Sequence, residues 1–92
     1  MLNKLYDIIE DRKNYPREGS YTNSLLDGCY LKAAKKVIEE AMEVIVASGL
    51  EGRQRTIEEG ADLIYHLFVL FVAQDISLTD IEDELEKRHR KK

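Results

Sequence analysis

An almost uninterrupted apolar run from Leu63 to Ala73 limits what this chain can fold into more than any other feature. It is much shorter than the roughly 20 residues that cross a membrane, so we expect a buried core helix. A helix that is apolar on nearly all sides must be covered on all sides. A domain of 92 residues has few other helices to cover it and is marginally stable alone. We therefore expect a homodimer; the alternative is that the other helices of one chain suffice.

The first half of the chain predicts two helices joined by a loop. Apolar residues recur at helical spacing from Leu2 to Ile9, which predicts a helix over about residues 2–13. The only proline lies in the loop that follows. Residues 20–23 supply several N-cap candidates for a short helix that ends near Gly28.

The second half predicts a helical hairpin and a last helix. Long helices are expected over about residues 30–48, with Gly49 as the stop, and 53–74. The short linker favours an antiparallel pair. Ser77 and Asp80 have the spacing of a capping box, and a buried stripe is expected along the helix that follows it, formed by Leu78, Ile81 and Leu85. The fold class is thus all-α: one domain over residues 1–92, an antiparallel bundle of about four to five helices completed by homodimerisation.

Charge and cysteine content restrict the partners. The net charge is −4, whereas a general nucleic-acid binder usually carries net positive charge. The single cysteine, Cys29, excludes an internal disulfide and fits a cytoplasmic protein. The N-terminal residues alternate apolar and charged side chains, unlike a signal peptide. We expect no nucleic-acid partner and no membrane.

Two groups of acidic residues are the candidate functional site. Glu39, Glu40 and Glu43 share one arc of their helix with several lysines. Glu59 and Asp62 share one side of the next helix, and an antiparallel hairpin would bring the two groups together. For the first group alone, a solvated face with ordinary i,i+4 ion pairs is the plainer interpretation.

The second acidic group favours a cation site. Glu59 and Asp62 begin the apolar helix, so we expect partial burial, and buried acids must be paired or bind a cation. Gly60 between them is costly inside a helix, and a close backbone approach would be one reason for it. Oxygen ligands without cysteine or a His-x-x-x-His pair disfavour zinc. Ca²⁺ would accept such oxygens, but its looped ligand pattern is absent; Mg²⁺ fits best.

The spacing Glu39-Glu40-x-x-Glu43, then Glu59-x-x-Asp62, resembles the MazG-like all-α nucleotide pyrophosphohydrolases. Within that superfamily the chain looks like the phosphoribosyl-ATP pyrophosphatases over nearly its whole length. The segments that carry this resemblance are residues 5–13, 19–22, 35–37, 61–67 and 77–85. Many relatives have Gly where this chain has Ile38, and we expect Ile38 to make a core contact.

The resemblance implies hydrolysis of 1-(5-phosphoribosyl)-ATP to 1-(5-phosphoribosyl)-AMP and pyrophosphate, the second step of histidine biosynthesis, by a Mg²⁺-dependent homodimer. It also implies a functional link to a separate phosphoribosyl-AMP cyclohydrolase. For that reaction we assign the metal ligands as Glu40, Glu43, Glu59 and Asp62. Glu39 is either a further ligand or the base that takes the proton of water.

Phosphate-binding candidates are the cations Arg12, Lys13 and Lys36. Ser20 and Thr22 either bind phosphate or cap the following helix. His66 is interpreted as a buried, hydrogen-bonded residue, with catalysis as the alternative. Two other functions stay open: a house-cleaning pyrophosphatase for other nucleoside triphosphates, and a non-catalytic helical dimerisation module.

Overall fold

The computed structural model describes residues 1–91, of Lys91 only the backbone, and these residues confirm the all-α fold class. None of the described residues forms a β-strand. Five α-helices follow one another along the chain: α1 Leu2–Asn14, α2 Tyr21–Leu26, α3 Leu31–Val46, α4 Arg53–Ala73 and α5 Leu78–Lys91.

The core lies where α1 and α2 pack on the second half of α4. Tyr6 and Ile9 of α1 are each 1% exposed and face Phe68, Val69 and Val72 of α4. The rings of Tyr6 and Phe68 meet edge to face with centroids 5.0 Å apart, an arrangement that aromatic pairs favour. This packing buries one side of the apolar second half of α4, on which Phe68, Val69 and Val72 lie.

The α3–α4 hairpin forms the most extensive helix contact of the fold. The predicted stop at Gly49 is wrong, because α3 continues as a π-helical turn, Ala47–Glu51. The chain reverses at Gly52, whose φ of 92° lies in the region that glycine tolerates best. Gly49 and Gly52 both lie near the predicted end of α3, and only Gly52, which ends the helical segment, has a positive φ.

The capping box before α5 is confirmed. Asp80 N–H donates to Ser77 Oγ at 3.0 Å, and Ser77 N–H donates to an Asp80 carboxylate oxygen at 2.9 Å. The direction of α5 differs from that of α4 by 108°, and α5 packs little against the rest of the chain. The predicted buried stripe is therefore wrong at its far end, where Leu85 is 61% exposed.

One side of the α3–α4 hairpin is apolar and exposed. Ile38 and Ile45 of α3 are each 68% exposed, so the core contact expected for Ile38 is wrong. Four other large apolar residues of these two helices are also exposed: Leu31, Met42, Ile57 and Ile64. We call these six residues the apolar hairpin face.

Across residues 1–91, no helix taken singly has the length and apolarity to cross a membrane, although α4 and α5 together pass that test as a bent pair.

Candidate metal site

Three of the predicted carboxylates meet where α3 packs on α4. Each of Glu40, Glu43 and Glu59 offers a carboxylate oxygen, and these three oxygens lie within 4.8 Å of one another. Glu40 and Glu59 are each 6% exposed, whereas Glu43 lies at the exposed edge of the group. We call these three residues the acidic cluster.

Two oxygens of the acidic cluster have no partner. Glu40 Oε2 and Glu59 Oε2 are buried and make no hydrogen bond. The second oxygen of each carboxylate is paired with a cation of its own helix: Glu40 with Lys36 at 3.4 Å, and Glu59 with Arg55. Burying an unpartnered charged oxygen is costly, so the cluster has the chemistry of a site completed by a cation. Donors that are all carboxylate oxygens fit Mg²⁺.

Mutual repulsion inside the acidic cluster affects its protonation. The pKa of Glu43 is raised from 4.5 to about 7, first because its protonated form can hydrogen-bond to Glu59 and then because of Glu40. Three carboxylates this close repel one another when all are ionised, and a divalent cation bound between them would relieve that repulsion.

The remaining predicted acids lie outside the acidic cluster. Glu39 is exposed and pairs with Lys36 at 3.1 Å. Asp62 is exposed one helical turn after Glu59, and its backbone carbonyl accepts a hydrogen bond from His66 Nδ1 at 2.7 Å. The close approach expected at Gly60 is absent from the described chain, since a Cβ there would meet no heavy atom within 4 Å.

Lys36 is the predicted phosphate-binding cation that lies nearest the acidic cluster. It bridges Glu39 and Glu40, and its pKa is raised, chiefly by the hydrogen bond that it donates to Glu39 and also by Glu40 and the Tyr21 phenol. Its charge thus stays on the ammonium group at the edge of the cluster.

The other predicted phosphate ligands are engaged elsewhere in this structure. Lys13 donates to the carbonyl of Val72 at 3.0 Å and pairs with Asp75, while Arg12 pairs with Asp11 at 3.4 Å. Ser20 Oγ accepts the backbone N–H of Asn23, so it caps α2. The Thr22 hydroxyl bonds to the hydroxyl of Tyr65.

A hydrogen bond joins Tyr21 of α2 to His66 of α4, and only His66 of this pair was singled out from the sequence. His66 is 6% exposed and hydrogen-bonded, which fits its interpretation as a buried structural residue. Its Nδ1 must carry a hydrogen because it faces the carbonyl of Asp62. Its Nε2, in the neutral ring, then accepts from the Tyr21 hydroxyl at 2.9 Å.

Arg55 was also missed. Its guanidinium contacts Glu51, Glu58 and Glu59, and it therefore holds one oxygen of the acidic cluster. The i,i+4 spacing between Arg55 and Glu59 was the available signal for this contact.

Comparison with known proteins gives a consistent family. The sequence matches the profile described as phosphoribosyl-ATP pyrophosphohydrolase over residues 2–89. It is 52% identical over 91 residues to the phosphoribosyl-ATP pyrophosphatase of Clostridium acetobutylicum, covering 99% of this chain and 83% of that protein. It is also 52% identical over 88 residues to the phosphoribosyl-ATP pyrophosphatase of Sulfurisphaera tokodaii, covering 96% and 94%.

A bifunctional protein is among the relatives. The chain is 50% identical over 91 residues to the histidine biosynthesis bifunctional protein HisIE of Caldanaerobacter subterraneus. That alignment covers 99% of this chain and 44% of the bifunctional protein. The profile match and the high identity over nearly the full length lead to one conclusion: this chain belongs to the phosphoribosyl-ATP pyrophosphohydrolase family.

Proposed function

We propose that this chain hydrolyses 1-(5-phosphoribosyl)-ATP to 1-(5-phosphoribosyl)-AMP and pyrophosphate, the second step of histidine biosynthesis. Membership of the family supports the reaction class, because relatives of similar length carry the name of that enzyme. The single structural observation that carries the proposal is the pair of buried, unpartnered carboxylate oxygens of Glu40 and Glu59. A domain gains nothing in stability from such atoms, so they point to a ligand.

The proposed cofactor is Mg²⁺, with Glu40, Glu43 and Glu59 as ligands and Asp62 as the fourth. Asp62 lies on the same side of α4 as Glu59, one turn further along. To join the ligand set, its side chain would have to change rotamer. When bound, Mg²⁺ would neutralise the triphosphate and lower the pKa of a water molecule.

The protein side chains around the acidic cluster then have separate tasks. The ammonium group of Lys36 at its edge would bind a phosphate oxygen, and Glu39, which it holds, would accept a proton from water. Arg12 and Lys13 remain proposed phosphate ligands that must first leave Asp11 and Asp75. Ser20 and Thr22 are the weakest of the proposed contacts, because each hydroxyl already has a partner.

The apolar hairpin face supports a homodimer. Six large apolar side chains of α3 and α4 stay exposed in one chain, and so much exposed apolar surface on two packed helices favours an interaction surface. A second copy of the chain would cover this face and complete the bundle. The product would pass to a phosphoribosyl-AMP cyclohydrolase, and we expect the reaction to take place in the cytoplasm.

The reaction is tested with purified protein, phosphoribosyl-ATP and Mg²⁺, with the nucleotide and pyrophosphate products measured by chromatography and a coupled assay. We expect equal amounts of the two products and complete loss of turnover in Glu43→Ala and in Asp62→Ala, with circular dichroism unchanged. Near-normal turnover in either variant would remove that residue from the ligand set.

Two outcomes would replace the proposal. Faster hydrolysis of deoxynucleoside triphosphates than of phosphoribosyl-ATP would indicate a house-cleaning pyrophosphatase. Absence of Mg²⁺ binding in calorimetry, with and without nucleotide, would indicate a non-catalytic dimerisation module.

A further inference from the structure

An open cavity of about 790 Å³ lies between the loop after α1 and the helix α2. Its lining comes entirely from residues 13–28. None of the acidic cluster belongs to the lining, so the cavity is a second feature beside the proposed metal site.

Tyr21 connects the cavity to the proposed metal site. Its ring lines the cavity and is 52% exposed, and its hydroxyl donates to His66 Nε2. The other ring nitrogen of His66 donates to the backbone carbonyl of Asp62, the proposed fourth metal ligand. A ligand that extends from Asp62 past His66 and Tyr21 would therefore reach into the cavity.

The cavity offers one uncommitted cation. Within residues 1–91 the guanidinium of Arg17 makes no ion pair and no side-chain hydrogen bond; only its backbone N–H is bound, to Asn23 Oδ1 at 2.9 Å. Lys13, the other cation of the lining, is held by Val72 and Asp75. Arg17 is thus the cavity group that is free to receive an anion.

The cavity also offers uncommitted acceptors. Glu18 and Asp27 belong to the lining, and in the described part of the chain neither carboxylate makes an ion pair or a side-chain hydrogen bond. Carboxylates accept hydrogen bonds from hydroxyl groups, whereas they repel phosphate. A lining with one free guanidinium and two free carboxylates therefore suits a small group that carries both an anion and hydroxyls, such as a sugar phosphate.

The proposed substrate differs from ATP by one such group. A phosphoribosyl group on the base adds a ribose with hydroxyls and a terminal phosphate, at the end of the nucleotide opposite the triphosphate. We propose that the cavity is the phosphoribosyl subsite, with Arg17 binding the terminal phosphate and Glu18 and Asp27 accepting from the ribose hydroxyls. Arg17 is then the residue that distinguishes phosphoribosyl-ATP from ATP, an inference that rests on the proposed function.

The test compares Arg17→Ala with the wild type on both nucleotides. We expect the KM for phosphoribosyl-ATP to rise about 10- to 100-fold, since a hydrogen bond to a charged group is worth that much. The kcat should stay within about twofold, and the inhibition constant of ATP should not change, because ATP lacks the phosphoribosyl group. Arg17→Lys should recover part of the affinity, because it keeps the charge but loses the guanidinium fork.

Arg90→Ala is the matched control. Arg90 is an exposed arginine of α5, paired with Glu86 and absent from the cavity lining, so its removal should leave all three constants unchanged. A direct readout is titration with ribose 5-phosphate followed by NMR. The wild type should show shifts at residues 17–27, and Arg17→Ala should not.

The outcomes separate the two proposals. A wild type that does not hydrolyse phosphoribosyl-ATP overturns the proposed function. A wild type that does so, with Arg17→Ala indistinguishable from Arg90→Ala, overturns the subsite alone. An equal loss of affinity for ATP and phosphoribosyl-ATP also overturns it, since Arg17 would then bind the triphosphate.

Discussion

Glu59→Gln should stabilise the metal-free protein while removing its response to Mg²⁺. In the wild type, Glu59 Oε2 is buried without a partner, beside the carboxylates of Glu40 and Glu43. The glutamine has nearly the same shape but no charge, and its amide can donate to those carboxylates. The change thus removes a repulsive contact and satisfies a buried acceptor.

The magnitude follows from two opposing contributions. Relieving a buried unsatisfied polar group is worth about 1–3 kcal/mol. Against this stands the ion pair of Glu59 with Arg55, which is worth at most about 1 kcal/mol because the Arg55 side chain is 48% exposed. The net gain in the free energy of unfolding at pH 8 without metal is about 1–2 kcal/mol, and each kcal/mol raises Tm by about 4–8 °C in a domain of this size.

Magnesium should reverse the order of stability. At 100 times its dissociation constant, a ligand that binds only the folded state adds about 2.7 kcal/mol. The wild type should gain this amount when EDTA is replaced by saturating Mg²⁺, whereas Glu59→Gln should gain almost none. The assay is thermal unfolding followed by circular dichroism at one fixed protein concentration.

Glu58→Gln is the matched control for this prediction. Glu58 is the adjacent glutamate, exposed, with its pKa lowered by hydrogen bonds from Gln54 and Arg55. Its replacement should change Tm little in either buffer and leave the Mg²⁺ response intact. If Glu59→Gln is no more stable than Glu58→Gln in EDTA, the unpartnered oxygen of Glu59 does not destabilise the fold and the reasoning fails. If Glu59→Gln keeps the full Mg²⁺ response, Glu59 is not a ligand.

Three further predictions concern protonation, packing and assembly. The pKa of Glu43 is raised from 4.5 to about 7, so the folded state holds the proton of this carboxyl group more tightly than the unfolded state does. In EDTA the Tm should therefore fall as the pH rises from 5 to 8. Glu43→Gln should flatten this profile. Tyr6→Phe removes the hydroxyl that donates to the carbonyl of Ile76 and should cost about 1–2 kcal/mol in chemical denaturation, with no change in the Mg²⁺ response. Ile45→Asp should give a monomer in light scattering, whereas Tyr15→Asp, on an exposed residue outside the apolar hairpin face, should leave the oligomeric state unchanged; a dimer in both variants would place the interface elsewhere.

The sequence predicts helices well here because their signals are local. The capping box at Ser77 and Asp80 needs only four residues, and it occurs as predicted. The end of α3 was misplaced because Gly49 and Gly52 are equivalent in the sequence. Which of them takes a positive φ depends on how α4 packs back on α3.

The candidate site is less fully encoded in local patterns. Spacing along each helix brings Glu40, Glu43 and Glu59 to the same level of the hairpin, but it does not predict which carboxylates become buried. Glu40 is buried while its neighbour Glu39 is exposed, although both belong to the same helical arc. The Tyr21–His66 hydrogen bond joins residues 45 positions apart, and no local sequence pattern predicts it.

The α3–α4 hairpin has a distribution of side chains that one chain alone does not explain. Its inner surface buries the charged residues Glu40 and Glu59, while its outer surface exposes Ile38 and Ile45. Each arrangement opposes the usual preference of charge for water and of apolar groups for the interior. Both costs fall on the same two helices, so a cation at the inner surface and a second copy at the outer one would each stabilise the same hairpin. The hairpin should therefore be the part of the fold that gains most in hydrogen-exchange protection when Mg²⁺ binds and when the chain dimerises.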